Sequence, residues 1–151
     1  MIYFSNPYIN DTSRHFNLEL TGQLERAGLK VFLPQRDGVD AKKPQYAEMT
    51  RDERRLATFE MSRDFVIACN VFLFLTDGRV LDEGVCFELG LAYAHRLSTG
   101  CDHYIIALQT DGSVFLGAKL NPMIKLAVDN VVSDREALVK TLVRRQEGMS
   151  T

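Results

Sequence analysis

Short apolar runs alternate with amphipathic stretches along the whole chain. Residues 2–5, IYFS, are apolar and aromatic and predict a buried strand. Residues 15–28, HFNLELTGQLERAG, place Phe16, Leu18, Leu20, Leu24 and Ala27 at near-helical spacing, with Gly28 as the stop. A second strand, LKVFLP, is closed by Pro34, and the polar run QRDGVDAKKPQ after it reads as a surface loop. Residues 46–70 form a long helical candidate, charged in its first half and apolar in its second. VFLFL at 71–75 is the most hydrophobic run and predicts a central strand. A helix beginning near Asp82, a fourth strand at 103–109, a Gly-containing loop at 110–122 and a short fifth strand at 130–132 follow. The terminal helix, SDREALVKTLVRRQ, has Ser133 as expected cap and Glu136 three residues on as partner in a capping box.

Strands alternating with helices predict a parallel sheet covered on both faces. The fold class is therefore α/β: a flavodoxin-like doubly wound domain with a four- or five-stranded parallel sheet, occupying residues 1–151 as a single domain. In such sheets ligands bind beyond the carboxyl ends of the strands. The third of those ends, Thr76–Gly84, leads into the helix that starts near Asp82.

That helix raises the chemical question. From Val85 to Ala94 it is apolar almost all round, with Glu88 as its one charge. A helix apolar on every side predicts burial, and a buried carboxylate is costly unless it is paired or used. Two roles stand open for Glu88: an ion pair with an arginine such as Arg14 or Arg63, or a nucleophile toward an electrophilic sugar carbon. Asp82, six residues earlier, is either a helix cap or a second functional carboxylate. Tyr3 is an aromatic core residue or a phenol with a polar partner.

Composition narrows the classes. The formal net charge of −2 gives no reason to expect a nucleic-acid or anionic-membrane partner. Three cysteines without paired spacing argue against a disulfide framework, and Cys69 and Cys86 sit in apolar contexts that read as core. The three histidines lack metal-ligand spacing, so no metal is expected. No phosphate-cradling glycine loop is present and no cofactor is implied. The opening residues have no secretory pattern, and no apolar stretch reaches the roughly 18 residues of a membrane helix. A soluble, cytoplasmic protein is the expectation.

The stretch LTDGRVLDEGVCFELGLAYA resembles the signature of the nucleoside 2-deoxyribosyltransferase family, in which an aspartate, a glycine two residues on and a glutamate in ELGxA close the active site; these are Asp82, Gly84 and Glu88 here. IYFSNP, VFLPQRDG and NPM at 121–123 resemble further family segments in the same order. The resemblance implies Glu88 as the nucleophile on C1′ of a 2′-deoxynucleoside, Tyr3 as its orienting phenol and Asp82 as the partner of the 5′-hydroxyl. It implies a 2′-deoxynucleoside and a free nucleobase as substrates. Asn121 and Met123 match residues that reach a neighbouring subunit's site, so a homo-oligomer, dimer or larger, is expected; core filling is the other role for Met123. Gln35 and Asp37 could meet the base edge, although Asp37-Gly38 also reads as a plain turn.

Two departures stand out. The family's base-side aspartate on the helix before the central strand aligns with Ser62, and Asp64 lies two residues, or roughly 200°, further round a helix. SNP at 5–7 replaces the usual small residues with glycine or alanine. An N-glycoside hydrolase acting on a nucleoside or deoxynucleotide, and a non-catalytic nucleoside-binding module, are the alternatives to the transferase. Asp82 favours a free nucleoside over a nucleotide, because a carboxylate facing a 5′-phosphate is like-charge repulsion.

Overall fold

The computed structural model describes residues 1–7, 10–77, 81–110 and 121–148. Five strands form one parallel sheet: β1 (Ile2–Ser5), β2 (Val31–Phe32), β3 (Val71–Leu75), β4 (Tyr104–Leu108) and β5 (Asn130–Val132), in the order β2-β1-β3-β4-β5. This is the flavodoxin-like order, with the expected central strand in the centre and its switch point between β1 and β3. The second strand is shorter than expected, two residues instead of six, although Leu29 and Leu33 on either side of it are buried. Most of the loop expected at 110–122 lies outside the described residues.

Among the described residues six α-helices flank the sheet: α1 (Asp11–Arg26), α2 (Pro34–Asp37), α3 (Arg51–Ala68), α4 (Glu83–Thr99), α5 (Pro122–Ala127) and α6 (Arg135–Gly148). Strand side chains alternate between faces, and the core divides accordingly. Ile2, Phe4, Leu73 and Ile106 pack with residues of α1 and α6. Tyr3, Phe72, Phe74 and Ile105 pack with residues of α3 and α4.

Local chemistry sets the helix ends. Asn10 with Ser13 and Thr50 with Glu53 form reciprocal capping boxes at α1 and α3. Gly28, at φ 84°, follows the end of α1 in a conformation that disfavours a side chain. At α6 the expected cap is displaced by one residue. Asp134, not Ser133, takes the Ala137 N–H at 2.7 Å, and Glu136 pairs with Lys140 instead of closing a box. Helix α5, capped by Asn121 and led by Pro122, was not foreseen; six residues are too few to show a period.

The expectation that α4 is buried on every side is corrected. Val85, Leu89 and Ala92 are buried, but Phe87 and Leu97 are 61% and 73% exposed, and Cys86 is also exposed rather than core. Sheet packing buries only one stripe of a helix; on the outer side of α4, Phe87 makes a tilted ring contact with Phe59 of α3. No helix among the described residues is long and apolar enough to cross a membrane.

The segment after β2 shapes the future site. The Asp37 carboxylate takes the Leu33 N–H at 2.8 Å and pairs with Arg36, which also grips Glu25 on α1. The chain then turns at Gly38, where an added Cβ would lie 2.4 Å from the Pro34 carbonyl oxygen. Gly38→Ala is therefore expected to destabilise the protein by about 1–3 kcal/mol through forced backbone movement, read as a lower urea midpoint with an unchanged m-value.

Candidate active site

The carboxyl ends of β1 and β3 and the amino end of α4 meet at the switch point. A pocket of about 400 Å³ opens there, bordered by Ser5, Asn6 and Pro7 after β1, by Phe32, Pro34, Gly38 and Val39 around α2, by Thr58, Met61 and Ser62 of α3, and by Asp82, Gly84, Val85 and Glu88 of α4.

Glu88 is the chemical centre of this pocket. The Tyr3 hydroxyl donates to its Oε1 at 2.7 Å and the Ser5 hydroxyl donates to its Oε2 at 2.5 Å. Both lengths fall in the range of charge-assisted O–H···O⁻ bonds. The arrangement follows from strand geometry. Residues two apart on a strand share a face and are separated by roughly 6.6 Å, so Tyr3 and Ser5 both face α4 and hold the carboxylate from two sides. Neither arginine considered as an ionic partner plays that part, since Glu88 is held by two neutral hydroxyls, and Arg63 pairs with Asp64.

Burial pushes the Glu88 carboxyl above its ordinary value of 4.5; the bonds from Ser5 and Tyr3 pull it back, and the charge of nearby Asp82 adds to the rise. Burial, followed by the Glu88 charge, pushes the Tyr3 phenol far above 10.0. Tyr3 thus stays protonated and serves as a donor. Its ring is fully buried and stacks between Phe32 and Phe72 at centroid distances of 5.7 and 5.9 Å. Ser62 of α3 is near enough to the phenol to oppose that rise. Two hydroxyls, from Tyr3 and Ser5, therefore converge on one acid.

Asp82 is both a cap and a pocket residue. Its Oδ1 accepts from the Gly84 and Val85 N–H groups at 2.9 and 3.1 Å. Among the described residues nothing donates to Oδ2. Gly84 borders the pocket, and a Cβ there would come within 3.1 Å of Asp82 Oδ1.

The other expected site residues divide. Ser62 borders the pocket; Asp64 does not, being exposed on the other side of α3 and paired with Arg63 at 2.8 Å. The half-turn between them decides the matter, and beside Asp82 and Glu88 the pocket has no third carboxylate among the described residues. Gln35 is also drawn away. Its Oε1 accepts from buried Asn17 at 2.8 Å and its Nε2 donates to the Arg14 carbonyl at 2.9 Å. Asn17 in turn bonds Asn6, so Gln35 braces the pocket rim from behind. Asp37 is used inside its own turn and does not border the pocket either. Asn121 caps α5 through the Met123 N–H at 2.9 Å, and Met123 is 82% exposed. Neither residue borders this chain's pocket, and Met123 is not core filling. The described residues hold no cluster of three or more metal-ligating side chains. Ser5 was missed; its position two residues after Tyr3 on the same strand face was the available signal.

The molecule is thus a parallel five-stranded α/β domain with a hydroxyl-held carboxylate at its switch point, the place where such sheets bind their ligands. The model of the nucleoside 2-deoxyribosyltransferase family matches residues 2–142, and the chain belongs to that family. A conserved protein from Enterococcus faecalis V583 is similar over 95% of this chain and 97% of its own, with 25% identity and a TM-score of 0.70. The 2-deoxyribosyltransferase of the psychrotolerant bacterium Bacillus psychrosaccharolyticus shares the fold at 17% identity, covering 91% of this chain and 89% of its own with a TM-score of 0.72. No curated protein matches the chain in sequence.

The raised Glu88 value has a consequence for stability. The folded state holds this proton to a higher pH than the unfolded chain, whose value is near 4.5. The stabilisation is complete below that value and is lost as the pH rises through the folded-state value. At neutral pH the ionised carboxylate therefore weakens the fold. Glu88→Gln is expected to raise Tm at about pH 7.5, with the gain vanishing below about pH 4.5, as differential scanning calorimetry across that range checks.

Proposed function

We propose that this protein transfers 2-deoxyribose between nucleobases through a covalent ester on Glu88. The observation that carries the reading is the Glu88 carboxylate, at the pocket edge, held by Tyr3 and Ser5 and paired with no cation among the described residues. A carboxylate so oriented and poorly solvated is suited to act as a nucleophile toward an electrophilic carbon. Membership of the family supplies the substrate class.

In the first half-reaction a lone pair of Glu88 forms the bond to C1′ as the C1′–N bond breaks. That electron pair leaves on the base, which takes up a proton from solvent. In the second, a nitrogen of the incoming base attacks C1′ and gives up its proton to solvent, the ester C–O pair returns to Glu88 and the carboxylate is restored. Two inversions give net retention. Asp82, with Oδ2 available, takes the 5′-hydroxyl of the sugar. The Asn121–Met123 turn, exposed and away from this chain's own pocket, serves the site of a neighbouring subunit in a homo-oligomer. We place this activity in cytoplasmic nucleoside salvage.

Hydrolysis is the second reading, and Ser62 favours it. Where a base-side carboxylate would handle the proton of the leaving or entering base, this pocket offers the hydroxyls of Ser62 and Thr58. General-acid assistance is typically worth ~10²–10⁴-fold. A hydroxyl that cannot supply it slows base exchange, and hydroxyls hold water readily.

A chromatographic assay of thymidine or deoxyinosine, with and without adenine, decides between them. New deoxyadenosine, lost by at least ~10³-fold in Glu88→Ala, is the expected outcome. Free base released equally with and without adenine establishes the hydrolase instead.

A further inference from the structure

Both oxygens of Glu88 are occupied, but by hydroxyls in different places. Tyr3 is wholly buried beneath the site and does not border the pocket, whereas Ser5 borders it. Oε1, on Tyr3, is thus the inner oxygen. Oε2, on Ser5, is the one nearer a ligand, and it accepts the shorter of the two bonds, 2.5 Å against 2.7 Å. The Ser5 side chain is also fixed. It is 1% exposed, and its backbone lies at the end of β1, in register with Phe74 of the central strand. A hydroxyl so placed does more than orient a carboxylate, because it lies on the oxygen that changes charge during the reaction.

We infer that Ser5 sets the balance between the two half-reactions: its hydroxyl restrains Oε2 as a nucleophile and promotes Oε2 as a leaving group. This rests on the transferase reading of Glu88. A hydrogen bond to a charged oxygen is roughly twice as strong as one to a neutral oxygen. While Oε2 is part of the free carboxylate, the Ser5 bond is at full strength. When the Oε2 lone pair becomes the C1′–O bond, the charge leaves and the Ser5 bond weakens. When that bond breaks and its electron pair returns to Oε2, the Ser5 bond recovers and stabilises the departing carboxylate. Ser5 thereby slows formation of the ester and speeds its breakdown, and the covalent intermediate does not accumulate. The proton on Ser5 stays on Ser5 throughout. The same chemistry applies whether a base or water resolves the ester.

The consequence is a change of rate-limiting step when the hydroxyl is removed. In Ser5→Ala, rapid-quench measurement of base release from a saturating 2′-deoxynucleoside is expected to show a burst approaching one base per active site. The steady rate after it should be slower by about tenfold. Intact-protein mass spectrometry is expected to show the accumulated glutamyl-sugar ester, and the wild type should show neither. The pH profile of kcat/KM is the reading that a structural role would not move. Ser5 is a donor that pulls the Glu88 carboxyl down, so its loss should carry the acid limb to higher pH. A folded Ser5→Ala protein with no burst, no ester and an unmoved acid limb overturns the inference. Should Ser5→Ala fail to fold, Ser5→Cys, a near-isosteric and weaker donor, is expected to show the same burst and the same direction of limb shift. Wild-type behaviour in that variant overturns the inference equally. Glu88→Ala runs beside both. Activity persisting there removes the covalent reading itself, whereas a dead Glu88→Ala beside an unchanged Ser5→Ala removes the role of Ser5 alone.

Discussion

A carboxylate kept largely out of bulk water, and paired with no cation among the described residues, is the constraint around which this molecule is arranged. An ionised acid in a poorly solvated place is costly, and an arginine partner would relieve that cost at the expense of its nucleophilicity. Here the compensation comes from neutral hydroxyls at 2.7 and 2.5 Å. They require Tyr3 and Ser5 on one face of one strand and α4 at a set height above that strand. The stacked rings of Phe32, Tyr3 and Phe72 fix the phenol laterally. A shift of β1 by one residue would turn both hydroxyls to the opposite face, against α1 and α6, and leave Glu88 without a donor.

The sheet order explains why the pocket is where it is. Chains leave β1 and β3 in opposite directions, so the ends of these adjacent strands part and leave a crevice. Asp82 occupies the amino end of α4 at this crevice, where one of its oxygens closes the helix and the other accepts no bond among the described residues. The charge of Asp82 in the same pocket adds to the rise of Glu88. The arrangement trades stability for chemistry, as functional sites commonly do.

On α3, the half-turn between Ser62 and Asp64 separates a residue that borders the pocket from a carboxylate that faces water. In the proposed reaction that difference bears on how the base receives and gives up its proton, and so on whether base or water completes it. Away from the pocket, Phe87, Leu97 and Met123 leave substantial apolar surface exposed on α4 and α5. Scattered singly such residues need no explanation; along an otherwise apolar helix they explain why periodicity made α4 look buried on every side.

Alternation of apolar runs with 3.6-residue periods was enough to place β1, β3, β4 and β5 and the long helices, since each is a local pattern. The parallel α/β class followed from their order, and Glu88 was legible as an isolated charge in an apolar helix. Asp82 and Gly84 were legible as the approach to that helix. What local pattern could not carry was partnership across the chain. Ser5 lies 83 residues from Glu88 in sequence, and only the pairing of β1 with β3 and the packing of α4 bring them together. Ser62 and Asp64 were separable only once the rotation of α3 was set by its contacts, and Gln35 was claimed by Asn17 on a different helix. Covalent order and periodicity therefore determined which elements form and which acid is unusual. Tertiary structure decided which hydroxyls hold that acid, because hydrogen bonds act over about 3 Å of space whatever the distance along the chain.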